Sequence, residues 1–175
     1  KVTLEKENKM FYAELERLKF VKQHAYFEEK DSIYFEGLTT LKNEFKTHEA
    51  STLVDFEIAT IHNQKGDLYN ANNNKEHQFE KSKALEICNL AINKFPESFG
   101  SKKCKNLKAL ILQSKLTITA EKNIPSNLHS KFLVAYKNLN KLHTFVYKIT
   151  DKEIRTFNDI YNDSVKINFI KKLTK

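Results

Sequence analysis

The sequence predicts an α+β fold, with an N-terminal array of antiparallel helices followed by a smaller segment that contains strands. Three observations predict it. Apolar residues recur at helical spacing through most of the first 114 positions. From Leu116 they alternate instead, through Ile118 and Ala120 and again through Phe132, Val134 and Tyr136, which is the period of a strand with one apolar face. Only 3 Gly and 2 Pro occur in 175 residues, which favours long regular elements. The change of period divides the chain into a helical region, 1–114, and a β region, 115–175.

The elements follow in order. Leu4, Phe11, Leu15, Leu18 and Ala25 predict a first helix over Thr3 to Ala25. Asp31 or Ser32 can cap a second, whose Tyr34, Leu38, Leu41 and Phe45 step by four, three and four. Leu53, Phe56, Ile58, Ala59 and Ile61 predict a third helix from Glu49 to Gln64, with Gly66 as its stop. The asparagine-rich stretch from Asn70 to Asn74 is a loop by composition. A fourth helix spans His77 to Phe95, ending at Pro96, and a fifth spans Ser101 to Ser114. Strands are expected at 115–121, 130–137 and 142–150. Residues 123–127 should connect the first two, and Asn138-Leu139-Asn140 should turn the second and third into a hairpin. Asp151 can cap a terminal helix over 151–173, with a break near Asn162-Asp163. Three strands and a helix close neither a sandwich nor a barrel. The chain therefore ends inside a domain or takes partner strands from elsewhere.

Composition narrows the function classes. Forty per cent hydrophobic residues, with 13 Phe and 7 Tyr, suffice for packed cores and argue against general disorder. No apolar run reaches membrane-spanning length, and none resembles a signal peptide. The net charge of +8 raises nucleic-acid binding. Against it, Arg17 and Arg155 are the only arginines, and the lysines read as spread along solvated helix faces; no nucleic-acid partner is expected.

Catalytic chemistry finds no support in the motifs. No pair of the six histidines stands at i, i+3 or i+4, and there is no HExxH. His62 reads as a polar or partly buried packing residue, and His143 as the start of a strand. Glu28, Glu29 and Asp31 cluster beside a helix start, where they complement its dipole. Neither a nucleophile elbow nor a glycine-rich phosphate loop is present. A non-enzyme without cofactor or metal is expected.

Two kinds of structural residue stand out. Cys88 and Cys104 lie equally far on either side of Pro96, so an antiparallel helix pair brings them close. Spacing leaves two outcomes open, a disulfide in an oxidising compartment or two free buried thiols. Leu107, Leu110, Ile111 and Leu116 are expected to form the packing seam between the fifth helix and the first strand.

A repeat pattern also appears. Ile58-Ala59, Gly66 with Leu68, and Ala71 resemble the first helix of a tetratricopeptide pair. Ala84, Cys88, Ala91 and Pro96 resemble the second, with the stretch from 71 to 84 as an insertion between the helices. Small residues at 59, 84 and 91 would let neighbouring helices approach. The pattern fits a packed helical pair that binds nothing, or else a concave peptide groove between helices three and four that uses Asn63 or Lys81.

Beyond that pattern, the order of segments resembles a family. These are Glu14 to Phe20, Lys30 to Tyr34, Val54 to Ala59, Ala84 to Gly100 with its Lys-Phe-Pro-Glu-Ser-Phe-Gly, Lys102 to Leu107, and Val134 to Leu139. Together they resemble the N-terminal region of the alpha-2-macroglobulin-like proteins of Bacteroidetes, in which tetratricopeptide-like helices precede the first macroglobulin β-sandwich. The resemblance implies a non-catalytic structural module of a longer cell-envelope protein, periplasmic or on the outer-membrane surface, that traps proteases. It also implies the remaining domains of that chain, proteases or envelope proteins as partners, and any membrane tether outside this segment. In such a compartment the Cys88–Cys104 disulfide gains weight. Neither cysteine is followed by the Glu-Gln of a thioester, so the resemblance assigns no trapping chemistry to these residues. The alternative is a tetratricopeptide-like adaptor that binds peptides within an envelope complex.

Overall fold

The structure, a computed structural model, describes residues 2–73, 75–121 and 129–173, with side chains from Glu5 onward. It is a mixed fold of seven helices and one two-stranded antiparallel sheet among the described residues. Contacts divide it into two compact units, Lys1–Ser114 and Lys115–Lys175.

The first unit contains α1 (Val2–His24), α2 (Lys30–Glu44), α3 (Ser51–Asp67), α4 (Glu80–Lys94) and α5 (Phe99–Leu112). Helix α3 is central and packs on α2, α4 and α5. One core joins Phe11, Leu15 and Leu18 of α1, Tyr34, Leu38 and Leu41 of α2, Phe45, and Leu53, Val54 and Ile58 of α3. The four-three-four spacing on α2 puts its apolar residues on one stripe, and burying that stripe drives the association. Phe11 and Phe45 meet edge to face with ring centres 5.2 Å apart, the arrangement favoured by the aromatic quadrupole.

A second core is built differently. Ala59, Ala84, Cys88, Ala91 and Cys104 are 0 to 1% exposed and are joined by Leu107 and Ile111. Short side chains let α3, α4 and α5 approach closely, so dispersion contacts replace bulk as the source of cohesion. Polar side chains fix the register. Thr52 Oγ1 and Ser98 Oγ lie 2.9 Å apart across α3 and α5. Ser98 also caps α5 by accepting the Ser101 N–H at 3.2 Å. Gly100 sits directly against the Thr52 backbone, where a Cβ would collide.

Several helix boundaries differ from the sequence expectation. Helix α2 begins at Lys30, so Asp31 lies in its first turn, and Glu29 at the cap position makes no side-chain capping bond. The acidic side chain favours the helix N-terminus through the dipole alone. Gly66 does not stop α3, which runs on to Asp67 and is capped by Leu68. Its missing side chain instead makes room for α4: a Cβ there would stand 2.5 Å from Lys81 Cγ and 3.2 Å from the Lys81 backbone nitrogen. Helix α4 starts at Glu80 and α5 at Phe99, each two or three residues from its expected start.

In the second unit, β1 (Lys115–Ala120) pairs antiparallel with β2 (Phe132–Lys137). Leu116 faces Tyr136, Ile118 faces Val134 and Ala120 faces Phe132, so one face is wholly apolar. The other carries Lys115, Thr117 and Thr119 opposite Lys137, Ala135 and Leu133. The expected third strand at 142–150 does not form, and β2 finds its partner in β1 rather than in a hairpin across Asn138 to Asn140. Alternating hydrophobicity specifies a pleat but not a ladder partner. At Asn138 the backbone enters the left-handed region (φ 53°), which only a few residue types tolerate. The expected connection at 123–127 lies outside the described residues.

The terminal helical stretch is two helices, α6 (Asp151–Asn158) and α7 (Asp163–Lys171). Thr150, not Asp151, caps α6: it accepts the Glu153 N–H, and Glu153 reaches back to the Thr150 N–H at 2.8 Å. Asn162 caps α7 through its carbonyl oxygen to Ser164 and Val165. Phe157 and Phe169 bring the two helices together with ring centres 5.9 Å apart. Among its described residues this unit has no buried side chain.

Candidate functional site

Four arrangements could carry function, three in the helical unit and one in the second unit. The first is a cavity of about 580 Å³. It lies between α2 and α3 rather than between α3 and α4. Phe35, Ile61 and Leu68 share its lining with Lys22, Asp31 and Lys65. Lys22 Nζ stands 3.9 Å from Asp31 Oδ1, and Lys65 Nζ lies 6.0 Å from the centre of the Phe35 ring. Neither Asn63 nor Lys81 lines it. Lys81 is instead engaged with Asp67 at 2.6 Å and packed on Gly66.

Beside this cavity is a charged cluster. His62 on α3 donates from Nδ1 to Glu80 Oε2 at 2.5 Å, and Lys83 donates to Glu80 Oε1 at 2.7 Å. The Phe35 ring meets the His62 imidazole edge to face at 5.9 Å. Lys83 first, and then His62, hold the Glu80 carboxyl down at about 2, against an ordinary value of 4.5. Sequence reading placed His62 as a partly buried packing residue but missed its partner, 18 positions away. Glu80 in the first turn of α4 was the only signal, and it serves the helix dipole equally well. On the opposite flank of α2, Tyr34 donates to Glu57 at 3.4 Å, and Lys19 stands 3.2 Å from the same carboxylate. Burial and the Glu57 charge push the Tyr34 hydroxyl well above its usual range. Asp55, nearly buried, is answered by Lys42 at 2.6 Å. These ion pairs answer charges that are wholly or partly buried between the helices.

The third arrangement is the thiol pair. Cys88 and Cys104 are free thiols in the structure, and both are wholly buried. Among the described residues, no group of three His, Cys, Asp or Glu side chains could hold a metal ion.

The residues expected at the junction separate by exposure. Leu107 and Ile111 are buried in the second core of the helical unit. Leu110 is 58% exposed and Leu116 42% exposed.

The fourth arrangement is the apolar sheet face of the second unit. Leu116, Ile118, Phe132 and Tyr136 on it are 42 to 69% exposed. Charge is also unevenly shared, contrary to the spread read from the sequence. Residues 115–175 carry twelve basic and five acidic side chains, whereas residues 1–114 carry eighteen and seventeen. From Ser98 to Thr150 ten lysines face a single acid, Glu121. No helix among the described residues is long and apolar enough to cross a membrane. Comparison with protein-family models, with curated proteins and with solved structures finds no match for this chain.

Proposed function

We propose that the chain is a non-catalytic structural module, a close-packed helical array that carries a β segment to be completed by a partner. The observation that supports this reading is the β1–β2 face. Six apolar positions share it, five of them stay exposed and Val134 is half-buried, and the unit around them buries no described side chain. An isolated two-stranded ribbon is marginal in water, and an apolar face gains stability only when covered. The lysine excess of the same unit favours a covering surface with carboxylates at its rim. Within the resemblance drawn from the sequence, the module belongs to an alpha-2-macroglobulin-like protein of the cell envelope, the cover comes from further strands of the sandwich, and the whole protein traps proteases.

Two measurements on the protein at its natural length test this. Footprinting of Phe132 and Tyr136 should show both shielded relative to residues 1–175 alone; equal labelling would overturn the completed sheet. Challenge with endoproteases should end in cleavage of the protein and loss of the attacker's activity; proteases left fully active would overturn the trap.

A second reading has one observation in its favour. The cavity between α2 and α3 combines apolar and charged lining at a size suited to a side chain cluster of a bound peptide. Under that reading Leu68→Asp abolishes peptide capture while the helical fold persists.

A further inference from the structure

We infer that Cys88 and Cys104 are an oxidisable dithiol that closes into a disulfide between α4 and α5. The inference stands on the links between α4 and α5 around the pair and on their shared burial, and does not depend on the proposed function. Nearest the turn, Ser101 Oγ donates to the Ala91 carbonyl at 2.9 Å and sets the register of the two helices. Three residues further from the turn on each helix, a step that stays on the same face, stand Cys88 and Cys104. Lys108, one turn past Cys104 on α5, donates from Nζ to Oδ1 of Asn89, the neighbour of Cys88 on α4, at 2.7 Å, a second link between the same two helices. Both cysteines belong to one core cluster and are 0% exposed, which aims the two side chains into the same closely packed seam.

The two thiols are not equivalent. The Cys104 thiol donates toward Cys88, and this bond together with burial pushes Cys104 well above the usual thiol range. Accepting that bond draws Cys88 below its ordinary value, with Lys108 acting in the same direction.

The oxidant is a low-molecular-weight disulfide such as oxidised glutathione. The thiolate of one cysteine attacks one of its sulfurs, its S–S bond breaks, and one glutathione thiolate leaves and takes up a proton. The other cysteine then loses its proton, attacks the sulfur that carries the glutathione and expels the second glutathione. Two protein thiols are oxidised to a cystine and one disulfide is reduced to two thiols. Since both sulfurs are shielded in the folded helical unit, the exchange belongs to the folding chain, before α5 seats on α4. Fifteen residues separate the cysteines, so closure restricts a substantial loop of the unfolded chain.

Refolding the reduced protein with and without oxidised glutathione, followed by alkylation, intact mass and peptide mapping, tests this. The expected product is lighter by two hydrogens, holds no glutathione, and links the peptides containing positions 88 and 104. Its thermal midpoint should exceed that of the reduced protein, and Cys88→Ser or Cys104→Ser should each erase the difference. Two alkylated cysteines after oxidative refolding, or glutathione retained on one of them, overturns the inference. So does a cross-linked protein that melts no higher than the reduced one. The mapping uses the unaltered chain, so it remains decisive even where a serine variant fails to fold.

Discussion

Gly100 shows how much of the helical unit rests on single atoms. Nothing about its backbone dihedral requires glycine; the requirement is space, because the start of α5 lies on the Thr52 backbone of α3. Gly100→Ala should therefore cost about 1–3 kcal/mol, the range for overpacking, measured by urea unfolding. Gly66→Ala should cost less, since the nearest atom there is in the flexible Lys81 side chain. Equal costs at the two sites would contradict the close approach at Thr52. Glu80 gives a prediction in pH. Its folded pKa, about 2, lies below the ordinary 4.5 because Lys83 and His62 favour the carboxylate. The stability it contributes is therefore complete above about 4.5 and is lost as pH falls through about 2. Urea midpoints measured between those limits should fall more steeply for the natural protein than for Glu80→Gln, and parallel curves would refute the coupling. The Glu80–His62 pair was not legible in the sequence because its members belong to different helices, and periodicity reports only which face of one helix turns inward.

Among the elements, α5 separates burial from pattern. Its apolar residues at 104, 107, 110 and 111 read as one stripe, yet Leu107 and Ile111 are buried while Leu110 is 58% exposed. Ile111→Asp should cost several kcal/mol by placing a charge among Ala59, Ala84 and Cys104, whereas Leu110→Asp should change stability by less than about 0.5 kcal/mol. Chemical denaturation of the two variants checks this, and a large loss at Leu110 would contradict the difference drawn from exposure. The helices themselves were legible because each carries an apolar stripe several turns long. Their starts were less so: Asp31 and Asp151 look like caps, but α2 begins one residue earlier and Thr150 caps α6. A capping side chain competes with neighbours of similar chemistry, and only the local backbone geometry chooses between them. The third strand failed for another reason. Residues 142–150 have the composition of a strand, but a strand exists only through a ladder, and no described partner supplies one.

For the molecule as a whole, the two units differ in what holds them together. Both hydrophobic cores lie within residues 1–114, and the second unit has none among its described residues. A fragment of residues 1–114 should keep its helical circular dichroism and unfold cooperatively, and loss of that signal on excision would overturn its independence. Amide exchange in the intact chain should be slow in α3, α4 and α5, and fast in β1, β2, α6 and α7, because protection follows buried packing rather than secondary structure alone.

The amino-acid sequence alone determined that helices come first and a pleated segment second, since the period of apolar residues is a property of the local chain. It also determined that small residues at 59, 84 and 91 permit close helix packing. Tertiary structure alone decided which helix is central, that β1 pairs with β2, that His62 meets Glu80, and that the cavity opens between α2 and α3. Those features depend on which surfaces meet across long stretches of chain, and no local period encodes the identity of a distant partner.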